Sequence, residues 1–289
     1  MKQSFKLIVA GLGVLALTAC GQGNDDSTSG DTEGFSKDNP VDVRIGISGT
    51  DSRQWDFISE KAVEEGINID IVSFNDYVQP NQALADGDID ANAFQTVSYF
   101  DNFREEQGLD LEAIGTTILA PLGVYSDRYD SVDDIPDGAE ILIANEVTNQ
   151  ARNLMLLQEA GLIELEDDFG ITSGLDQIAD NPKNLKLTEV VPANAPRLMQ
   201  DVDAAVINNG IAVDAGLSPT EDSLAREDET ATPYINIIAA RTDNADDPAL
   251  QRLVEIYQSD EVKEFIEEEY QGATIPTYIS LEELNNYPR

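Results

Sequence analysis

Few side chains in this 289-residue sequence are equipped for covalent or acid–base chemistry. Histidine is absent, which removes His-based triads, imidazole metal ligands and imidazole proton transfer. Cys20 is the only thiol. Neither a G-x-x-x-x-G-K-[ST] phosphate loop nor a G-x-S-x-G elbow occurs. Carboxylate pairs suited to glycoside hydrolysis are easy to find among 56 acidic residues, so spacing alone singles out none. Asp86-Gly87-Asp88-Ile89-Asp90-Ala91-Asn92 has the look of a calcium loop, but Ala91 stands where that motif needs Gly and Val97 where it needs a bidentate Glu. A helix stop followed by a strand start is the better reading. No metal, cofactor or catalytic residue is expected. What remains is recognition. Arg152 lies near the start of a helical segment, 148–160, where a cation opposes the macrodipole by roughly 0.3–1 kcal/mol. A bound anion and an ordinary ion pair explain such an arginine equally well.

Any such site needs a scaffold, and the sequence alternates strand with helix. Residues 41–48 alternate apolar and polar side chains as a strand does. Gly49-Thr50-Asp51-Ser52 has the composition of a turn and helix cap, and 52–65 is helical in pattern, with Trp55, Ile58 and Ala62 on one stripe. Trp55 therefore reads as packing. Further strands are predicted at 67–73, 89–94, 140–144, 185–191, 203–208 and 235–240. Further helices are predicted at 79–86, 148–160, 195–200, 249–257 and 260–270. Repeated strand–helix–strand order predicts an α/β fold with largely parallel sheets. ALADGDIDANAF (83–94) and LMQDVDAAVIN (198–208) echo each other as a helix end, Asp-x-Asp and an apolar strand. Two related lobes whose strand ends face one crevice would give this echo, and ligands of open α/β sheets bind beyond such strand ends.

The N-terminus points outside the cytoplasm. Lys2 and Lys6 precede an apolar run, 7–17, that falls short of the roughly 20 residues a spanning helix needs, so it reads as a secretory signal. Leu17-Thr18-Ala19-Cys20 resembles the lipobox of bacterial lipoproteins, which implies cleavage after residue 19 and lipidation of Cys20. Residues 21–39 are mostly Gly, Ser, Thr, Asp and Asn, with Phe35 the only large apolar side chain, and 20–39 are expected to form the lipid anchor and a flexible tether. The remaining length suits two lobes. With 17 basic against 56 acidic residues, a net charge of −39 makes nucleic acid an improbable partner. Such an acidic surface also fits a saline habitat, where salt screens self-repulsion.

From Val43 to Tyr278 the chain resembles the methionine-binding lipoproteins of ABC importers, the NlpA-type solute-binding family. The resemblance is carried by Phe74-Asn75-Asp76-Tyr77-Val78-Gln79-Pro80-Asn81, by 85–95 (ADGDIDANAFQ), by Asn145 with Thr148, Asn149 and Arg152, and by 181–186, 202–208 and 257–263. It implies a two-lobed periplasmic-binding-protein-like fold (type II), with the ligand cleft between lobes joined by crossing strands. Lobe one would be 40–125 plus 233–289 and lobe two 126–232. The implied function is a non-catalytic, membrane-anchored extracytoplasmic receptor that passes L-methionine, or a related apolar amino acid or Met-containing dipeptide, to an ABC permease and its ATPase. A carboxylate-based hydrolase and a surface adhesin are the alternatives. By the same resemblance Arg152 grips the ligand carboxylate, for which a guanidinium offers two parallel bonds. Asn149 and Asn208 make polar contacts, and Tyr77 and Phe94 enclose the side chain. Thr96 departs from the family's Phe-Gln-His, which touches selectivity more than the amino-acid class. On this reading Arg152→Ala abolishes binding and leaves the melting temperature of the ligand-free protein nearly unchanged.

Overall fold

The computed structural model describes residues 34–227 and 232–287. Cys20, the signal segment and the tether up to residue 33 lie outside the described residues. The last residues of the expected tether are described, and they are held. Phe35 packs against the core of the first sheet, and Ser36 and Asn39 exchange backbone hydrogen bonds of 3.0 and 2.9 Å. The described chain is thus docked from Phe35 onward and not, as the composition implied, only after Asn39, because Phe35 has apolar surface to bury against.

The chain runs β1 (Val41–Ser48), α1 (Arg53–Ala62), β2 (Ile67–Phe74), α2 (Gln79–Asp86), β3 (Ala91–Thr96), α3 (Val97–Gln107) and β4 (Leu111–Leu119). It continues through β5 (Gly123–Tyr125), β6 (Glu140–Ala144), α4 (Val147–Glu159), β7 (Glu164–Leu165), β8 (Ile178–Asp180) and β9 (Lys186–Val190). Next come α5 (Ala195–Met199), β10 (Ala204–Ile207), α6 (Asn209–Asp214) and β11 (Ala225–Arg226). It ends with β12 (Ile235–Arg241), α7 (Pro248–Tyr257), α8 (Asp260–Tyr270), β13 (Ile275–Pro276) and α9 (Leu281–Leu284).

Two sheets organise these elements, in the orders β13-β4-β12-β3-β1-β2 and β11-β5-β10-β6-β9, and β7 pairs with β8 apart from both. Each sheet has a parallel trio, β2-β1-β3 in the first and β9-β6-β10 in the second. Beside each trio lies an antiparallel strand that arrives from the other sheet, β12 next to β3 and β5 next to β10. The sheets are therefore mixed and not largely parallel, because each lobe is completed by a strand that crosses into it. Pairing of β5 with β10 also puts residues 123–125 in the second sheet, so the first crossing is 120–122, ahead of the boundary expected after Tyr125. Each sheet is covered on both faces. Trp55, Ile58, Leu253 and Ile266 pack on one side of the first, and Leu84, Phe100 and Leu284 on the other. Leu154 and Leu157 cover one side of the second, Met199 and Ala212 the other.

The repeated Asp-x-Asp segments have one structural job. Asp90 N–H donates to the Arg44 carbonyl (2.9 Å), and its carboxylate accepts the Arg44 N–H (2.7 Å), pinning β3 to the neighbouring β1. Asp203 does the same to Glu140, at 3.0 and 2.8 Å, pinning β10 to β6. Gly87, with φ +79°, ends α2 in the left-handed region that favours glycine, as a helix stop requires. Pinned this way, β3 delivers its last residues, Phe94 to Thr96, and β10 delivers Asn208, the residue after its end, to the same place.

Candidate functional site

That place is a cavity of about 910 Å³, lined from both sheets. Arg152, Asn149, Asn208, Tyr77 and Phe94 all lie on its wall, although 131 positions of sequence separate Tyr77 from Asn208. Trp55 has both roles: it packs against Tyr257 with ring centroids 5.5 Å apart and also borders the cavity.

The polar wall is built on α4. Its N-cap is Glu146, whose carboxylate accepts the N–H groups of Thr148 (2.8 Å) and Asn149 (3.0 Å). Asn149 therefore does not cap its helix. Its Nδ2 donates to Glu146 Oε2 (2.6 Å), and its Oδ1 accepts from Asn208 Nδ2 (2.8 Å), across from the end of β10. The chain Glu146–Asn149–Asn208 fixes the direction of both amides on the cavity wall, with Asn208 using its Nδ2 in the chain.

Arg152 is one turn further along α4 and almost fully buried, with a side chain 3 % exposed against 7 % for Glu227. Its Nε donates to Glu227 Oε1 at 2.8 Å, and its Nη2 bonds both Glu227 Oε2 and the Ala120 carbonyl (3.1 Å). The Tyr234 ring stacks on the guanidinium at 4.4 Å. Burial disfavours this charge, yet the Glu227 carboxylate outweighs it and holds the Arg152 pKa above its ordinary value. The two readings of Arg152 were a ligand clamp and an ion pair, and the ion pair exists. In this arrangement Nε and Nη2 are engaged and, among the described residues, Nη1 is the nitrogen left for a ligand. Glu227 was not singled out by sequence.

The apolar wall is aromatic. Tyr77 and Phe94 lie 5.8 Å apart, and Tyr99 completes the cluster at 6.0 and 6.3 Å from them. Tyr99 donates its hydroxyl to the Tyr77 carbonyl (2.8 Å), which ties the 75–78 turn to α3. Burial raises the Tyr77 and Tyr99 pKa values well above the ordinary phenol value, so both stay neutral. Thr96 caps α3 by accepting Tyr99 N–H at 3.3 Å.

Four carboxylates and two guanidinium groups line the cavity: Asp51, Asp76, Glu146 and Asp214 against Arg152 and Arg197. Burial works against the Asp76 carboxylate, but the amides of Gln79 and Val78 hold its pKa below the usual range. At the rim, Asp214 of α6 reaches the loop after β1, accepting Thr50 N–H (3.1 Å) and Thr50 Oγ1–H (2.8 Å). Thr50, within the segment 49–52 read as a turn and helix cap, thus links the loop after β1 to α6. Gly49 permits it, with φ +90° and a position where a Cβ would fall 2.0 Å from Asp214 Oδ2.

Known proteins share this architecture. D-methionine-binding lipoprotein MetQ of Escherichia coli (strain K12) is 36 % identical over 277 residues, covering 94 % of this chain and 97 % of MetQ. A nutrient-binding protein of Burkholderia cenocepacia, solved bound to methionine, is 41 % identical with a TM-score of 0.78, covering 82 % of this chain and 100 % of that one. A periplasmic substrate-binding protein of an ABC transporter from Coxiella burnetii is 36 % identical with a TM-score of 0.77, covering 81 % and 100 %. Residues 43–278 match the NlpA lipoprotein family across both sheets and the cleft between them, and to that family the chain belongs.

Proposed function

We propose that the protein is the substrate-binding lipoprotein of an ABC importer, that it binds L-methionine in the interlobe cleft, and that it catalyses no reaction. The observation that carries this reading is the joining of a polar wall (Arg152, Asn149, Asn208) and an aromatic wall (Tyr77, Phe94, Tyr99) in one cavity between two lobes. Nη1 of Arg152 takes the ligand carboxylate, the amide oxygen of Asn208 faces the ammonium, and the rings hold the thioether. An acid excess in the lining favours a zwitterion over a simple anion. Asp51, Asp76, Glu146 and Asp214 each accept nearby N–H or O–H groups in caps, turns or the rim contact, which is a structural use and not that of a hydrolase pair. Among the described residues, the exposed large apolar side chains are Val63, Val78 and Val191, too few and too scattered for an adhesin patch.

Lipidation of Cys20 anchors the receptor on the outer face of the cell membrane, where it meets the permease. Lobe one comprises 40–122 with 233–289, and lobe two the residues between. A Met-containing dipeptide is the second reading, favoured by a cavity of about 910 Å³, which exceeds the needs of one amino acid. Competition between labelled L-methionine and the 20 amino acids or Met dipeptides decides between them; displacement by none of these would overturn the proposal.

A further inference from the structure

The Arg152–Glu227 pair stands at the point where the chain passes between the sheets. One crossing is 120–122, between β4 and β5. The other lies between β11 and β12, and its described residues are Glu227 and 232–234. Arg152 meets both: Nη2 bonds the Ala120 carbonyl, Nε and Nη2 bond Glu227, and the guanidinium lies on Tyr234. Glu227 closes the figure. Its carboxylate accepts Leu122 N–H at 3.3 Å, and its own N–H donates to the Leu122 carbonyl at 3.0 Å.

We infer that Glu227 is a positioning residue: it aims Nη1 of Arg152 at the ligand carboxylate and fastens that guanidinium to both crossing segments, so that filling the cleft and setting the lobe angle are linked. Arginine is a long side chain with many rotamers, and a two-point carboxylate contact plus a ring face leaves it one plane and one edge. Hinge motion is absorbed by a few residues at element ends, and here those residues share one charged clasp. A ligand shifts a two-state equilibrium only through contacts that differ between the states, and a bond to a group fastened to both crossings is such a contact. The aiming half rests on the receptor reading above; the fastening half does not.

The test is Glu227→Gln, which keeps the shape and removes the charge, with two readouts. In ligand-free protein, the distance distribution between a spin label on α1 and one on α5 reports the lobe angle, and it broadens in the variant. With ligand, the preference for L-methionine over L-methionine amide falls about tenfold, the worth of one well-aimed charged hydrogen bond. A general loss of stability moves the melting temperature but not that ratio. An unchanged distribution, or an unchanged preference in a variant that still binds, overturns the inference. If the parent protein binds no methionine, the receptor reading fails and the distribution alone decides the fastening. Should Glu227→Gln not fold, the paired Arg152→Met, Glu227→Met variant removes both charges, and its ligand-free distribution broadens or the inference falls.

Discussion

Arg152→Ala is expected to damage the fold as well as the site. The substitution leaves Glu227 as a carboxylate 7 % exposed with no cation, strips the Ala120 carbonyl of its donor, and opens the space above Tyr234. Breaking one side of a buried pair typically costs about 3–5 kcal/mol. At about 2–4 °C per kcal/mol for a protein of this size, the ligand-free melting temperature falls by roughly 6–20 °C. That replaces the expectation, drawn from sequence, of a melting temperature nearly unchanged. Scanning calorimetry of ligand-stripped protein measures it, and the paired Arg152→Met, Glu227→Met variant is the control. Swapping a buried ion pair for apolar groups is often neutral, so the control recovers most of the lost stability while still failing to bind. An Arg152→Ala protein that melts within about 2 °C of its parent would mean that Arg152 and Glu227 do not form a buried pair, because such a pair cannot lose one member at so little cost.

Asp214→Asn weakens the rim contact with Thr50; for an exposed, charge-assisted pair of hydrogen bonds the loss is about 0.5–1 kcal/mol, read as a two- to fivefold rise in ligand Kd by calorimetry. Thr96→His removes the α3 cap, lowering stability by about 1 kcal/mol in a denaturant titration, whatever it does to binding. Asp203 is held below the usual carboxylate pKa first by the Glu140 N–H and then by Tyr129 and Arg128, against the effect of burial. A depressed acid stabilises the fold above its unfolded pKa and loses that contribution as pH falls through the folded value, so wild type and Asp203→Asn converge in melting temperature on acidification below about pH 4. With a net charge of −39, the melting temperature rises between low and molar NaCl as the Debye length shrinks from ~10 to ~3 Å; a flat response removes the saline reading.

Much of the scaffold was legible where local punctuation was strong. Helix α2 and strand β6 begin and end as predicted, bounded by Gly87 and by an unbroken apolar run. The segment from Val97 to Leu119 went unread for two physical reasons. Helix α3 buries Val97, Ser98, Tyr99, Phe100, Asp101 and Phe103, so it presents no single apolar stripe. Strand β4 carries Gly115 at its centre, which looks like a breaker but is a close approach: a Cβ there would meet Val254 of α7 at 2.6 Å. Three-residue β5 exists only through partners about 80 and 100 positions away, which no local pattern reveals. The five candidate site residues were found through motif resemblance. Glu227 had no such signal, being one acid among 56 in a local run of charged residues and 75 positions from its partner. Tyr99 went unnoticed with the helix that holds it.

Calorimetric titration with L-methionine, on protein unfolded and refolded to strip bound ligand, tests whether the interlobe cleft is a methionine site. A methionine receptor binds one-to-one with a sub-micromolar Kd, within reach of a ligand of about nine heavy atoms at up to roughly 1.5 kcal/mol each. Absence of heat with methionine, together with no thermal shift from any other amino acid or Met dipeptide, would contradict it.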